Sequence, residues 1–389
     1  MTYKTLNDFD FAGKKVLLRA DLNVPLQDGN VTDTTRIDRL KPTIDFLKER
    51  AEKVIILSHF GRPKGKENPD FSLSFLPAVL EQQWGVKIGF GEESNEAVTL
   101  LENLRFNPGE EANDPEFAKD LAAKGDVFVH DAFSTAHRAH ASTEGIAHLL
   151  PSAAGLLMEA ELKALSDALE APEKPVMAIV GGAKISTKLS VLSNLVKRVD
   201  YLVLGGGMAN TFLFANNQPM GKSLYEYEMV NEAREIQKTA SAHNCEIILP
   251  KDCIVVDELK AGVASDVNVF PHFPEEKESV DAGPESIENV SNILEECKTV
   301  LWNGPLGVFE IEPFDNGTNK VAQKVAALTK DGKLISVAGG GDTVAALENA
   351  GAAKDFSYIS TAGGAFLEWL EGKELPGVAA LYQNSKKAA

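Results

Sequence analysis

Five short apolar runs in the second half of the chain each end in a glycine-rich turn. They are rich in β-branched residues, which is typical of buried strands in a parallel sheet. The runs are PVMAIVGGAKIS, YLVLGGGMAN, TVLWNGPLGVFE, LISVAGGGDTVAAL and YISTAGGAFLEWL. Four of these turns lead into a helical pattern. Because a strand, a glycine turn and a helix point unpaired backbone N–H groups at an anion, the repeated unit predicts a nucleotide along the carboxyl edge of the sheet.

The first half of the chain alternates strand-like and helix-like segments, which indicates parallel βαβ units. The strand candidates cover 15–24, 54–60, 100–106 and 126–133. Pro42 interrupts the first helical pattern, either as a kink or as the first turn of a second segment. We therefore predict an α/β protein with two doubly wound parallel-sheet, Rossmann-like domains joined by a hinge helix.

The predicted hinge helix is the long amphipathic pattern at 154–170, which Pro172 and Pro175 end. An N-terminal domain is accordingly expected at 1–170 and a C-terminal domain at 171–372. The tail, 373–389, is expected to pack back on the first domain.

The composition of the chain limits its expected binding partners and its expected cellular compartment. The 389 residues carry a formal net charge of −18, which disfavours nucleic acid and anionic membranes, since both select basic surfaces. No apolar run approaches a membrane span, and the first residues lack the apolar core of a signal peptide. The three cysteines form no CxxC pair, so we expect no disulfide framework and no structural zinc site. A cytoplasmic location is predicted.

Arginine is concentrated in the first half, where seven of the nine arginines lie at or before position 138. Polar residues follow each predicted strand there, and the carboxyl ends of parallel strands share one edge of a sheet. One such arginine is best interpreted as a surface residue with a partner. Several at one edge of an acidic chain predict a site for a small, multiply charged anion. The predicted cluster comprises Arg36, His59, Arg62, Arg105 and Arg138.

Lys184 and Lys188 follow the first glycine turn of the second half. Their spacing predicts that they share one face at the N-terminus of a helix. There the two charges repel each other and oppose the helix dipole. Either lysine can snorkel to water, but a bound polyphosphate would reverse both penalties, which favours a functional role. Lys184 is placed to touch a phosphoryl group in transit.

Two carboxylates and three histidines have competing interpretations. Asp342, at the start of a predicted helix, is either a first-turn carboxylate or a magnesium ligand beside three glycines. Glu310 either accepts hydrogen bonds from ribose hydroxyls or faces solvent. The spacing of His130, His137 and His140, together with Asp131, is weak evidence for a metal site, and we interpret these histidines as structural.

Motifs of other nucleotide enzymes are missing from the chain. The GKS sequence within 216–223 lacks the earlier glycine of a Walker A loop, and no protein-kinase motif set occurs. No GxGxxG with a downstream acid occurs, which counts against a nicotinamide enzyme. The residues alone therefore indicate phosphoryl transfer between a nucleotide and a small anionic acceptor. A dehydrogenase on the same architecture and a non-catalytic nucleotide-binding protein are the alternatives.

Nine sequence strings resemble the phosphoglycerate kinase family. They are LLRADLNVP (17–25), SHFGRP (58–63), LENLRF (101–106), DAFSTAHRAHAS (131–142), VGGAKISTKL (180–189), LGGGMANTF (204–212), WNGPLGVFE (302–310), AGGGDT (338–343) and STAGGAFLE (360–368). The resemblance runs from about residue 4 to about residue 382. It implies an enzyme of glycolysis and gluconeogenesis that converts ATP and 3-phosphoglycerate reversibly to ADP and 1,3-bisphosphoglycerate with Mg²⁺. It further implies two domains hinged across a cleft and a monomer.

The same resemblance assigns roles to individual residues. The phosphoglycerate-binding residues that it implies are Asp21, Asn23, Arg36, His59, Arg62, Arg105 and Arg138. The implied nucleotide-binding residues are Gly182, Ala183, Lys188, Gly206, Gly207, Asn303, Glu310, Gly340, Gly341, Asp342 and Thr343, with Asp342 also the metal contact. Lys184 and Arg36 match the groups that stabilise the transferred phosphoryl. Ala362 and Ser134 stand where many members have glycine, and a methyl group at 362 is expected to crowd its turn while leaving the N–H groups available.

Overall fold

Two six-stranded parallel sheets organise the chain in the computed structural model, which describes residues 3–387 and side chains as far as 382. Each sheet belongs to its own compact unit. The first unit comprises Met1–Leu162 with Glu374–Ala389, and the second comprises Lys163–Lys373. Among the described residues, no helix combines the length and apolar composition that crossing a bilayer requires.

The sheet of the first unit has the order β3-β4-β2-β1-β5-β6, and every neighbouring pair is parallel. Its strands are β1 (Lys15–Arg19), β2 (Lys53–Leu57), β3 (Ile88–Phe90), β4 (Val98–Leu100), β5 (Val127–His130) and β6 (Ser152–Ala154). A short hairpin of Leu26–Gln27 and Asn30–Val31 follows β1. The helices are α1 (Thr35–Lys48), α2 (Leu76–Trp84), α3 (Pro108–Glu111), α4 (Pro115–Ala122) and α5 (Leu156–Leu165). Pro42 lies inside α1, which is one continuous helix.

The sheet of the second unit has the order β9-β8-β7-β13-β14-β15, again with parallel pairs. Its strands are β7 (Val176–Val180), β8 (Tyr201–Leu204), β9 (Glu246–Ile248), β13 (Thr299–Asn303), β14 (Ile335–Gly339) and β15 (Tyr358–Ser360). A separate antiparallel sheet has the order β11-β10-β12 and consists of β10 (Asp252–Val256), β11 (Asp266–Val269) and β12 (Glu278–Ala282). The helices are α6 (Leu189–Leu195), α7 (Gly206–Ala215), α8 (Val230–Ala242), α9 (Pro284–Glu296), α10 (Asn316–Lys330), α11 (Gly341–Asn349) and α12 (Gly363–Leu370). All five glycine-ended runs are strands of the parallel sheet, and the predicted fold class is confirmed.

Helix α5 contains the boundary between the units, which falls between Leu162 and Lys163. The helix continues into one π-helical turn at Ser166–Glu170. The last helix, α13 (Pro376–Lys387), returns to the first unit, where the Gly377 N–H donates to the Ala136 carbonyl at 2.9 Å.

The strands of the first unit end earlier than the apolar runs predict. The run predicted at 15–24 is strand only as far as Arg19, and the run predicted at 100–106 is strand only to Leu100 and later a turn of 3₁₀-helix at Leu104–Phe106. In both places the polar residues that follow make side-chain hydrogen bonds to neighbouring loops instead of a ladder. The excess length predicted for these strands is therefore wrong.

Helix α2 holds the N-terminal turns of α1 through a buried indole. Trp84 is almost fully buried, and its Nε1–H donates to the Ile37 carbonyl at 2.9 Å. Ile37 directly follows Arg36, so this contact fixes the turn from which the Arg36 side chain extends.

We expect Trp84→Phe to lower the free energy of unfolding by about 1–2 kcal/mol, because it removes one buried hydrogen bond and part of a large apolar contact. Urea unfolding of the full chain, followed by circular dichroism, measures the change. Trp369→Phe, at a half-buried indole, serves as the matched control. An equal loss of stability in the two variants contradicts the role assigned to Trp84.

Candidate functional site

Four adjacent strands of the first sheet deliver polar residues to one edge. In the order β4-β2-β1-β5, the chain leaves β1 in one direction and returns on its other side as β5, which makes the gap between these strands the topological switch point. The residues that follow the four carboxyl ends are Arg105 after β4, His59 after β2, Asp21 and Asn23 after β1, and Ser134 and Arg138 after β5. Arg36 lies in the first turn of α1.

Side-chain hydrogen bonds tie the loops after β1, β2 and β5 together. Arg36 Nη1 donates to Asp21 Oδ2 and to the Asn23 carbonyl, each at 2.9 Å. The Ser134 hydroxyl donates to the same Asp21 oxygen at 2.5 Å. The Gly61 N–H donates to Asn23 Oδ1 at 3.0 Å. Asp21 and Asn23 therefore orient the Arg36 guanidinium and link three loops.

The other arginines of this edge are only partly neutralised. Arg105 is buried, donates from Nη1 to the Gly61 carbonyl at 2.7 Å, and pairs with Glu111 at 3.2 Å. Arg138 is half-buried and donates to His137 at 3.2 Å. Arg62 is exposed, and within the described residues no ion pair holds its guanidinium. The edge therefore carries an excess of positive charge that an anion can fill.

His59 is a neutral member of this cationic cluster. Its side chain is buried, and burial lowers its pKa well below the ordinary value. The surrounding guanidinium groups of Arg19, Arg105, Arg138 and Arg36 lower the pKa further. At neutral pH His59 therefore offers an uncharged imidazole to whatever binds here.

Three residues of this edge were not among the predicted site residues. Arg19, the last residue of β1, is 1% exposed and lies against His59. The Ser142 hydroxyl accepts a hydrogen bond from Arg19 and donates one to Glu110, and Ser142 and Glu110 are both completely buried. An available signal was the arginine that directly follows the apolar residues of the predicted strand at 15–24, since a charge at a buried strand position requires a partner.

In the second sheet, the turns after β7 and β13 meet at the switch point with very close backbone contact. A Cβ at Gly181 would lie 1.7 Å from the Pro305 carbonyl oxygen, and one at Gly304 would lie 2.3 Å from the Gly181 carbonyl oxygen. Gly206, with φ +66°, would place a Cβ 2.8 Å from the Gly182 carbonyl oxygen. These glycines bring the first turn of α7 beside the turn after β7.

The other residues of the turns after β7 and β8 also make close backbone contacts with each other. The Gly182 carbonyl accepts from the Met208 N–H at 3.0 Å. A Cβ at Gly207 would lie 2.4 Å from the Ala183 carbonyl oxygen. Gly182, Ala183, Gly206 and Gly207 thus form one continuous surface of main chain at the carboxyl ends of β7 and β8.

The prediction that Lys184 and Lys188 share a helix face is wrong. Helix α6 begins only at Leu189, and Lys188 occupies its N-cap position. Lys184 is exposed in the preceding turn. The eight residues between β7 and α6 form a wide turn, partly because Ser186 donates from its N–H (2.9 Å) and its hydroxyl (2.5 Å) to the Glu226 carboxylate.

Lys188 instead extends into the switch point. Its Nζ donates to the Gly181 carbonyl at 2.8 Å and to the Asn303 carbonyl at 3.1 Å. Burial lowers its pKa to about 8, and the nearby Asp342 carboxylate opposes that shift. Lys188 therefore bridges β7 and β13 and places an ammonium group beneath the glycine turns.

Asn303 and Thr343 connect β13 to the N-terminus of α11. Asn303 Nδ2 donates to the Gly339 carbonyl at 2.7 Å, and the Thr343 hydroxyl accepts from the Gly304 N–H at the same distance. Gly340 has φ +100°, and a Cβ there would lie 2.7 Å from Asn303 Nδ2. A Cβ at Gly341, in contrast, would have no atom within 4 Å. The Thr343 hydroxyl is thus engaged by the protein backbone.

Asp342 and Glu310 are both exposed, Asp342 in the first turn of α11 and Glu310 in the loop after β13. No group of three or more His, Cys, Asp or Glu among residues 3–387 could hold a metal ion by itself. Mg²⁺ is commonly bound by one or two carboxylates together with substrate phosphates. Asp342 therefore fits a magnesium ion that arrives with a polyphosphate.

The two departures from the family pattern have clear local consequences. Ser134 adds the hydroxyl that binds Asp21. Ala362 precedes α12 with φ −91°, an ordinary value for any residue, and its N–H donates to the Ser360 hydroxyl at 3.2 Å. The methyl group at 362 therefore causes no backbone strain.

Comparison with known proteins gives one consistent result. The family model for phosphoglycerate kinase matches residues 6–373. A phosphoglycerate kinase of Rhodospirillum centenum is 59% identical over 98% of this chain and 100% of its own, and one of Cereibacter sphaeroides is 58% identical over the same shares. The solved structure of phosphoglycerate kinase from Coxiella burnetii has a TM-score of 0.93 at 42% identity, covering 98% of this chain and 99% of that one. The structure of the Pyrococcus horikoshii enzyme has a TM-score of 0.80 at 32% identity, covering 99% and 100%.

The contact at the second switch point generates a test. Gly181→Ala forces the backbone of 304–305 away from β7, and we expect this overpacking to cost about 3 kcal/mol. Thermal unfolding of the full chain measures the loss. Gly363→Ala is the matched control, because that glycine opens α12 with free space at its Cβ position. A Gly181→Ala variant as stable as Gly363→Ala contradicts the close approach.

Proposed function

Because this chain belongs to the phosphoglycerate kinase family, we propose that it transfers the γ-phosphoryl of ATP to the carboxylate of 3-phosphoglycerate, reversibly and with Mg²⁺. One observation supports the proposal most directly. A cationic cluster lies at the carboxyl edge of the first sheet, and a backbone surface of glycine turns lies at the carboxyl edge of the second.

The first edge suits phosphoglycerate. Its arginines exceed the carboxylates that pair with them, which in the described residues are Asp21 for Arg36 and Glu111 for Arg105. A phosphate and a carboxylate on one small molecule supply the missing negative charge, and guanidinium groups bind both in bidentate geometry. Asn23 and the neutral His59 add polar groups for the remaining oxygens.

The second edge suits the nucleotide. The turns at Gly182–Ala183 and Gly206–Gly207 leave room for a planar base against main chain, since neither carries a large side chain. The N-terminus of α11, with Gly340 and Gly341, presents backbone N–H groups to phosphates. Asn303 at the end of β13, Glu310 in the following loop and Thr343 in the first turn of α11 add polar groups at this edge, and Lys188 offsets phosphate charge from below.

The chemistry requires no general base, because the acceptor carboxylate is already ionised at neutral pH. The barrier then consists mainly of repulsion between anions and of the entropy of aligning them. Lys184 and Arg36 act as donors to the transferred phosphoryl, whose three equatorial oxygens share the negative charge in the transition state. When bound through Asp342 and the nucleotide, Mg²⁺ supplies Lewis-acid neutralisation of the phosphate oxygens.

The two substrates bind to different units in this proposal, so turnover requires the units to bring them together. We therefore propose a closing movement during each catalytic cycle. Closure also excludes water, which otherwise hydrolyses ATP. The monomeric state and the cytoplasmic location implied by the family stay predictions.

A coupled assay tests the function directly. We expect ATP consumption that depends on both 3-phosphoglycerate and Mg²⁺. ATP binding without turnover would instead indicate a non-catalytic nucleotide-binding protein.

Replacing Lys184 tests the transition-state role. We expect Lys184→Ala to lower kcat about 10²-fold or more, because a donor to the developing charge is lost. Lys197→Ala removes an exposed lysine of the same unit and serves as the control. A Lys184→Ala enzyme with near wild-type kcat removes this residue from the mechanism.

Replacing Arg138 tests the division of substrates between the units. We expect Arg138→Ala to weaken 3-phosphoglycerate binding about tenfold or more, since a charged hydrogen-bond donor is lost. ATP binding, titrated separately by calorimetry, is expected to stay unchanged in both Arg138→Ala and the exposed control Arg50→Ala. Weakened ATP binding with intact phosphoglycerate binding contradicts the assignment.

A further inference from the structure

Arg19 occupies an unusual place for an arginine, since it is the last residue of a central strand and is 1% exposed. All three guanidinium nitrogens are engaged. Nε donates to the Ser142 hydroxyl at 2.9 Å, and Nη1 donates to the Ala20 carbonyl at 2.5 Å. Nη2 lies 3.1 Å from His59 Nδ1. The guanidinium therefore has one geometry, and that geometry includes His59.

We propose that Arg19 is a positioning residue that holds His59 in one neutral tautomer, with the proton on Nε2, and that Glu110 acts through Ser142 as the buried counter-charge of Arg19. The inference deepens the proposed phosphoglycerate site, and it rests on the proposed function only for the identity of the ligand.

The tautomer follows from the donor chemistry. A guanidinium carries five N–H donors and no acceptor, so the nitrogen that faces it must accept. His59 Nδ1 therefore carries no proton, and the neutral ring bears its proton on Nε2. A doubly protonated ring has no acceptor for Arg19 and is repelled by its charge. His59 thus presents a directional, uncharged N–H donor.

Glu110 keeps Arg19 in place from the other side. Its carboxylate is completely buried on α3, where Oε1 accepts from the Ser142 hydroxyl at 2.5 Å and Oε2 accepts from the Ser142 N–H at 3.0 Å. The Ser142 hydroxyl donates to Glu110 and accepts from Arg19 at once. Burial raises the pKa of Glu110, and the Arg19 charge opposes that shift. A buried cation and a buried anion are thereby joined through one hydroxyl group.

Arg19, Ser142 and Glu110 form a hydrogen-bonded chain that we call the Arg19 relay. The charged groups around it favour the neutral imidazole of His59. Arg19, Arg105, Arg138 and Arg36 all act on His59 as positive charges. His140 lies 3.8 Å from Glu110, and burial and the nearby arginines lower its pKa to about 4. His140 is therefore uncharged at neutral pH and leaves Glu110 paired with Arg19. His59 Nε2 then keeps its proton throughout the physiological pH range, and the arginines supply the positive charge of the site.

Nitrogen NMR of the histidine rings tests the proposal in the full-length, ¹⁵N-labelled protein without ligand. From about pH 5.5 to about pH 8, we expect His59 to show an unprotonated Nδ1, a protonated Nε2 and no titration midpoint. His243 is an internal reference of the opposite tautomer, because its Nδ1 faces the Thr239 carbonyl at 2.9 Å and must donate. A His59 ring that protonates within this window, or that carries its proton on Nδ1, overturns the proposal.

The double variant Arg19→Met/Glu110→Gln removes both buried charges together, so that neither is left unpaired. We expect His59 to gain a titration midpoint or the second tautomer, and 3-phosphoglycerate to bind about tenfold more weakly at pH 8. ATP affinity is expected to match that of wild type and of the control Arg50→Met. An unchanged ATP affinity distinguishes a lost position of His59 from unfolding of the protein. Unchanged His59 signals and unchanged phosphoglycerate affinity in a folded double variant refute the relay. A wild-type protein with the expected tautomer but no turnover would refute the proposed function instead.

Discussion

The proposed site depends on the pairing of arginines with carboxylates at the carboxyl edge of the first sheet. Guanidinium groups that converge on one small volume repel each other unless anions separate them. The protein provides three such anions, which are Asp21 for Arg36, Glu111 for Arg105 and, through Ser142, Glu110 for Arg19. These carboxylates offset part of the positive charge of the edge without neutralising it. The remaining positive charge is what suits the edge to the multiply charged anion that we propose binds there.

The proposed nucleotide site of the second unit relies on backbone instead of side chains. Polyphosphate recognition needs several N–H groups close together, and close approach of main chain requires residues without a Cβ. At the switch point between β7 and β13, the contacts at Gly181 and Gly304 leave no room for a side chain. Lys188 lies at the base of this arrangement and donates to the Gly181 carbonyl, directly after β7, and to the Asn303 carbonyl at the end of β13. The lysine thus contributes both to the structure of the crevice and to its charge.

The sequence was informative where one local pattern decides the structure. The glycine-ended apolar runs predicted all five of these strands, because β-branched runs of that length fit few other structures. Strand ends were harder to predict. Asp21 and Asn23 alternate with apolar residues as strand residues do. Their side chains instead bind Arg36 in α1 and Gly61 in the loop after β2, and a short sequence window does not contain these partners. The prediction that Lys184 and Lys188 share a helix face failed for a similar reason. Glu226, which is forty residues from its partner Ser186, holds the turn open. The Arg19 relay was missed because Glu110 and Ser142 approach Arg19 only in the folded chain.

A crystal structure of the full chain with 3-phosphoglycerate tests the account most directly. The account predicts the ligand at the carboxyl edge of the first sheet, with its oxygens bound by Arg36, Arg62, Arg105 and Arg138 and by His59 Nε2, while Arg19 stays in place. A ligand bound only at the glycine turns of the second sheet, or one that leaves these arginines without contact, would contradict it.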